Sequence, residues 1–299
     1  MSRLAVIILT LNEEKHLERC LRAVNRVASE VFVVDSYSSD ATPAIATSMG
    51  AQLVQHEFVN HAEQLAWALE HLPLTSEWVM RVDADEVVSA GLADEISRAI
   101  SDAASGINGF LVRRQVCFAG KRIRFGGVAH WVLRLWRRGT ADVERRWMDE
   151  HMLLRHGHAA RLSGEFVDDN LNDIAWWTDK HNGYSTREAI DLLNHKYAFL
   201  PARGSVPLTH QARRMRWMKE HVYARLPTGL RVLLYFAYRM IFRLGMLDGP
   251  GGFAFHFLQG CWYRYLVDIK MRAVERRMRR DGVDCIEAIR REFGVDLLR

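Results

Sequence analysis

Over the first hundred residues, short apolar runs alternate with stretches in which apolar positions recur every three or four residues. The runs are Leu4–Leu9, Val31–Asp35, Leu53–Gln55 and Trp78–Val82. The periodic stretches are Glu13–Arg26, a segment from about Thr42, Ala62–His71 and Leu92–Ile100. Runs of the first kind read as buried strands and stretches of the second as helices, so the pattern predicts βαβ units with a parallel sheet covered on both faces. Ligands of such sheets bind beyond the carboxyl ends of the strands. Those ends carry Thr10, Asn12 and Glu13, then Asp35 and Ser36, then Asp83 and Asp85.

The pattern changes beyond residue 108. Gly109–Phe118 and Trp131–Trp136 read as strands flanking a glycine-rich basic stretch, Gly120–Gly127. An Asp-rich segment, Asp168–Asp173, leads into a helix expected to run from about Asp173 to Asn194. Leu230–Leu247 is apolar except for Arg231, Arg239 and Arg243, which at about 100° per residue fall on one stripe of a helix. A second apolar stretch, Phe253–Ile269, is interrupted by Arg264 and Asp268. Neither has the ~20 uninterrupted apolar residues of a spanning helix. The expectation is helices lying in a membrane interface with their arginines at phosphate level. The alternative is a helical subdomain burying its face on the sheet domain or on a second subunit. The domains expected are 1–225, a nucleotide-binding α/β domain, and 226–299, a basic amphipathic helical region.

Composition supports a folded chain with a polar asymmetry. Of the 299 residues 49% are hydrophobic and 26% charged, ordinary for a globular protein. Four scattered cysteines (Cys20, Cys117, Cys261, Cys285) make neither a CxxC pair nor a zinc spacing, which points to a reduced, cytosolic setting. The opening apolar run is short and has no small-residue cleavage site, so it reads as a strand rather than a signal peptide. Residues 1–202 carry 22 Lys+Arg against 27 Asp+Glu, a balance of −5, whereas residues 203–299 carry 19 against 9, a balance of +10. A basic C-terminal third suggests a polyanionic partner. Its aromatics lie in long apolar helices rather than on a basic sheet, so anionic lipid is expected and nucleic acid is not.

The segment Trp78-Val-Met-Arg-Val-Asp83-Ala-Asp85-Glu86 carries the sharpest chemistry. Side chains two apart on an extended segment share a side, so Asp83 and Asp85 can converge on a hard divalent cation, and such a cation can hold a diphosphate. Leu9-Thr10-Leu11-Asn12-Glu13-Glu14, Val33-Val34-Asp35-Ser36-Tyr37-Ser38-Ser39-Asp40 and Asp83-Ala84-Asp85-Glu86 together resemble, in order and spacing, the family 2 glycosyltransferases of the GT-A fold. Three C-terminal segments extend the resemblance to the branch of lipopolysaccharide-core β-1,4-glucosyltransferases and exopolysaccharide enzymes: Arg213–Glu220, Leu244–Gly249 and Gln259–Asp268.

The resemblance implies an α/β fold, a Rossmann-like, mostly parallel sheet covered by helices, with the C-terminal helical region appended. It implies an inverting hexosyltransferase that moves a sugar from a nucleotide-sugar, expected to be UDP-linked, to a lipid-linked or cell-surface glycan acceptor in polysaccharide or lipopolysaccharide biosynthesis. It places the nucleotide-sugar near Thr10, Asn12, Glu13, Asp35, Ser38 and Asp83, and Mg²⁺ or Mn²⁺ on Asp85 and Asp83, with Asp85 the direct ligand and Asp83 alternatively on ribose or sugar. Asn12, Ser38 and Asp40 are equally suited to capping helices. Glu150, or else Asp149, is the implied general base, and His151 a further metal or phosphate contact. Lys180, His181, Tyr184, Arg216 and Trp217 are candidate acceptor or membrane contacts. The implied location is cytoplasmic, peripheral to the inner face of the cell membrane. Two other classes remain open: another metal-dependent nucleotide enzyme such as a nucleotidyltransferase, against which the first turn lacks a glycine-rich phosphate loop, and a basic binding module.

Overall fold

The computed structural model describes residues 3–144, 152–200 and 228–297. They form two compact units, one of residues up to Asn172 and one from Asp173 on. The domain boundary expected near residue 225 lies outside the described residues, as do Asp149, Glu150, His151, Arg213, Arg216 and Trp217.

The first unit is built on one mixed sheet. Strands β1 (Leu4–Thr10), β2 (Glu30–Asp35), β3 (Gln52–Gln55) and β4 (Trp78–Asp83) are joined by helices α1 (Leu17–Val24), α2 (Thr42–Ser48) and α3 (His61–His71). They pair in parallel in the order β3-β2-β1-β4. Every residue of β1 is buried. That is the physical origin of its unbroken apolar run, because a central parallel strand meets helices on both faces.

Beyond β4 the sheet turns mixed. A tight turn at Ala84-Asp85 leads into β5 (Glu86–Val88), followed by α4 (Ala90–Ser101), β6 (Ile107–Phe118), β7 (Lys121–Arg122), β8 (His130–Arg137), β9 (Ala141–Val143), β10 (Met152–Leu154) and β11 (His158–Asp169). The path continues β4-β8-β6-β11-β5. β8 is antiparallel to both β4 and β6, whereas β11 runs parallel to β6 and carries β5 antiparallel on its far side. Strand β11 is absent from the sequence reading. Its sequence, HAARLSGEFVDD, is mostly polar and only Leu162 and Phe166 are buried hydrophobics, so no apolar run announces it. Two cores fill the two faces of the sheet, one around Val6, Leu21, Trp78 and Phe166, the other around Ile7, Phe32, Leu65 and Trp136.

The second unit is helical. α5 (Ile174–Tyr197) is capped by Asp173, whose carboxylate accepts the Trp176 N–H at 2.8 Å. α6 (Thr228–Ala237) runs into a π-helical turn, Tyr238–Phe242. After a 3₁₀ turn, Gly245–Asp248, α7 (Gly249–Phe257), a second π-turn (Leu258–Trp262) and α8 (Tyr263–Asp281) follow, and then α9 (Cys285–Phe293). α5 packs on α8 and α9 through Ile190, Leu193, Val274 and Ile289.

The structure corrects the helical reading of Leu230–Leu247. It is not one helix, because Leu244 takes a left-handed backbone (φ 58°) and folds the chain back. Nor do its arginines form an outward stripe. Arg231 pairs with buried Asp268 (Nε–Oδ2 2.8 Å), and Arg239 is buried against Gln259 and His256. Only Arg243 is exposed.

Candidate active site

Parallel register places the predicted motifs side by side. Thr10 pairs with Asp35 across β1 and β2, and Leu9 with Asp83 across β1 and β4, so three strands end together. The loops after β1 and β2 are stitched to each other. Asn12 adopts a left-handed backbone (φ 56°), its N–H donates to Ser38 Oγ (2.8 Å), and its side-chain oxygen accepts the Ser39 N–H (2.9 Å). The Glu13 N–H donates to Thr42 Oγ1 (2.7 Å), and the Glu14 N–H to Asp40 (3.1 Å). Asn12 therefore does not cap α1. His16 stands at that position, without a side-chain cap. Asp40 does bind the Thr42 N–H at the start of α2 (2.9 Å). Burial raises the Asp40 carboxyl, but the hydrogen bonds from Thr42 and Glu14 outweigh it and hold the group below its ordinary value.

Asp35 is the hub of this clasp. It is fully buried, and its two oxygens accept from Thr10 Oγ1 (2.9 Å), Ser38 Oγ (2.5 Å), the Ser38 N–H (2.9 Å) and Gln55 Nε2 (3.4 Å). Tyr37 between them has a left-handed backbone (φ 58°) and a 60% exposed side chain. An aromatic held outward in a costly conformation beside this clasp is a feature that the sequence reading passed over.

The Asp83–Glu86 turn sits in a charge network. Asp83 pairs through one oxygen with Arg81 (3.1 Å) and through the other with Arg134 (3.0 Å). Its N–H donates to Glu86 Oε2 (2.9 Å), and Arg134 also binds Glu86 Oε1 (2.5 Å). Burial alone would raise the Asp83 carboxyl. The guanidinium groups of Arg81 and Arg134 overcome that and hold it well below the usual range. Burial dominates at Glu86 and pushes it up to about 8 against the pull of Arg134.

Asp85 differs in kind. It is partly exposed, no arginine pairs with it among the described residues, and its carboxylate accepts from Asn170 Nδ2 on Oδ2 (3.0 Å). Its second oxygen has the chemistry of a hard-cation ligand. Among the described residues no cluster of three or more His, Cys, Asp or Glu side chains forms a ready-made metal cage.

The end of β11 supplies what the sequence reading left out. Asp168 is gripped by Arg114 (Nε–Oδ2 2.9 Å) and Asp169 by Arg19 (2.7 Å), and the Asp169 N–H donates to the Asp85 carbonyl (3.1 Å). His16 Nε2 accepts the Leu171 N–H (2.8 Å), which puts its proton on Nδ1, where it donates to Glu13 (2.6 Å). The Asp-rich run was the only signal in the sequence. Its function as a brace for the Asp85 turn emerges once β11 pairs with β5, Asp168 opposite Glu86.

Lys180, His181 and Tyr184 lie together on α5 in the second unit. His181 stacks on Trp177 (3.5 Å between ring centres), and Lys180 sits over Trp176 (4.5 Å). Burial lowers the His181 pKa, so this imidazole favours the neutral form.

Known proteins similar to this chain point to one family. The model of the family described as Glycosyl transferase family 2 matches residues 5–170, more than half of the chain. An uncharacterized glycosyltransferase of Rickettsia bellii is 37% identical over 94 residues, 31% of each chain. A lipopolysaccharide core biosynthesis glycosyltransferase, LpsC of Rhizobium meliloti, is 30% identical over 122 residues, 39% of this chain and 44% of that one. These matches thus take in about a third to under a half of the relatives' length. Among solved structures, glucosyl-3-phosphoglycerate synthase from Mycobacterium tuberculosis, in complex with Mn²⁺, UDP and glucosyl-3-phosphoglycerate, aligns over 39% of this chain and 44% of its own (21% identity, TM-score 0.33). S. aureus TarS 1-349 aligns over 94% and 92% (14% identity, TM-score 0.46). The four parallel strands, their antiparallel continuation and the flanking helices are the GT-A arrangement. The chain belongs to glycosyl transferase family 2.

Proposed function

We propose that this transferase is an inverting hexosyltransferase. It takes a sugar from a UDP-linked donor and attaches it through a β-glycosidic bond to a lipid-linked or cell-surface glycan in polysaccharide or lipopolysaccharide biosynthesis, working at the cytoplasmic surface of an anionic membrane. The observation that carries the reading is the alignment of Thr10, Asp35 and Asp83 on adjacent strand ends, with the Asp85 turn beside them.

The loops that follow those strands offer the nucleotide a rigid edge. The Asn12 N–H is held by Ser38 Oγ and the Glu13 N–H by Thr42 Oγ1, and Tyr37 presents a ring on which a base can stack. Asp35 and Thr10, both buried, act from beneath by fixing that edge. Mg²⁺ or Mn²⁺ on Asp85 would neutralise the leaving diphosphate as a Lewis acid. Asp83, with both oxygens committed to arginines, fixes the turn and holds Arg81 and Arg134 near it. Asn170 and Asp169 orient Asp85. Glu150, or Asp149, is the carboxylate proposed to take the proton of the attacking hydroxyl, and Lys180, His181, Tyr184, Arg216 and Trp217 remain the proposed acceptor contacts.

The test is a donor screen by thermal shift with Mn²⁺, comparing UDP, GDP and their common sugars, followed by a transfer assay with the responding donor. A UDP response that requires the metal is expected. No nucleotide response at all would overturn the reading.

A further inference from the structure

The second unit turns an expected polarity inside out. Between residues 229 and 262 the ionisable groups Arg231, Arg239, Asp248 and His256 are directed inward. Arg231 pairs with Asp268, and Arg239 reaches His256 Nδ1 (2.9 Å), whose other nitrogen faces Asp248 (3.3 Å). Three glycines make room for this chain of contacts. A Cβ on Gly245 would meet Arg239 and His256 within 2.9 Å, one on Gly252 would meet Asp248 at 2.0 Å, and one on Gly260 would press on Arg239 at 3.1 Å. The outside is apolar. Leu233, Ile241, Phe242, Met246, Leu247 and Phe253 are each more than half exposed, and Arg243 is the single exposed charge in the segment.

We infer that the hairpin of α6, the Leu244 reversal and α7 dips tip-first into one leaflet of an anionic bilayer and stops there. This deepens the proposed membrane-linked acceptor and rests on that reading for its purpose. Four observations single out lipid. An apolar surface of this extent is not left open to water without an occupant. Charges in hydrocarbon persist only when bonded internally, as Arg231 is to Asp268 and Arg239 to Gln259 and His256. The arm from Gly249 to Trp262 counts 9 and then 5 residues. At ~1.5 Å each that is roughly 20 Å, enough for half of a ~30 Å hydrocarbon core and its interface but not for the whole. Accordingly, no described helix is long and apolar enough to cross a membrane. Finally, the same helical rod becomes basic beyond Trp262, with Arg272, Arg276, Arg279 and Arg280 on α8. An apolar arm that ends at a tryptophan and passes into arginines matches the order of acyl chain, interface and headgroup phosphate.

The experiment is flotation of the full-length chain with vesicles of phosphatidylglycerol and phosphatidylethanolamine, at low and high salt, for the parent and for Phe242→Asp/Leu247→Asp. Both positions are exposed, so the substitutions leave the interior intact. The parent is expected to float in both salts, and the double variant to lose vesicle partitioning by about tenfold or more. The fluorescence that Phe242→Trp adds is expected to be quenched by acyl-chain bromines. The inference fails if the double variant floats like the parent. It fails equally if high salt releases the parent, since charge alone would then hold it. It also fails if the parent is a dimer that the double variant splits without any vesicle binding, which would make the tip an interface between copies. The UDP thermal shift is measured in parallel. Its loss in the parent condemns the donor reading, whereas its persistence in a chain that never floats condemns the hairpin alone.

Discussion

Replacing Asp35 by Asn separates a nucleotide contact from a scaffold. The carboxylate is sealed from solvent and accepts four hydrogen bonds, two from hydroxyls on Oδ1 and two from N–H groups on Oδ2. A carboxamide can keep its oxygen toward the Ser38 N–H and Gln55 while Thr10 and Ser38 Oγ rotate to accept from its nitrogen. What is lost is the charge assistance, about 1–3 kcal/mol of stability. Asp35→Ala has no such rearrangement. It strands the two N–H donors in a closed site and is expected to cost about 3 kcal/mol or more. Urea unfolding of the three proteins should therefore rank parent above Asn above Ala. UDP affinity should fall in the same order, because the Asn12–Ser38 clasp loosens as its support goes. The reasoning is refuted if Asp35→Asn unfolds at the parent's midpoint while its UDP response vanishes, since that residue would then serve the nucleotide directly and not the fold.

Four other outcomes are expected. Asp85→Ala should abolish sugar transfer in a product assay while urea unfolding stays within about 0.5 kcal/mol of the parent, since the side chain is partly exposed and accepts one hydrogen bond among the described residues. Gly252→Ala improves helix propensity by about 1 kcal/mol, yet its Cβ would collide with Asp248. Overpacking of this kind costs about 1–3 kcal/mol, so a net loss on thermal unfolding is expected. Arg231→Met leaves Asp268 buried and unpaired, a loss of about 3–5 kcal/mol, and a double variant with Asp268→Leu should recover most of it in an unfolding cycle. Burial pushes the Cys285 thiol up to about 11. At pH 8 only about one molecule in a thousand then carries the reactive thiolate, and iodoacetamide should label this residue far more slowly than a free thiol, with the rate rising tenfold per pH unit.

The parallel half of the fold was legible because its physics is local. A strand buried on both faces must be apolar throughout, and β1, β2 and β4 lie within a residue or so of the runs that announce them. The strand ends carrying Thr10, Asp35 and Asp83 followed from the rule that such sheets bind at their carboxyl edge. β11 was not legible, since its polar sequence is held by pairing with β6 and β5 rather than by its own pattern. With it went the brace from Asp168, Asp169 and Asn170.

In the C-terminal third the sequence by itself determined that long apolar segments punctuated by arginines would form helices too short to span a bilayer. It could not say which way the arginines point. A periodicity argument assigns charge to the outer face of a lone helix, but two packed helices create an interior where Arg231 meets Asp268 and Arg239 meets His256. Only tertiary structure brings such partners together, because separations of 37 and 17 positions are invisible to a helical wheel. The same holds at the site. Sequence marked out the carboxylates, and packing decided that Asp83 is paired with Arg81 and Arg134 whereas Asp85 has no arginine partner among the described residues.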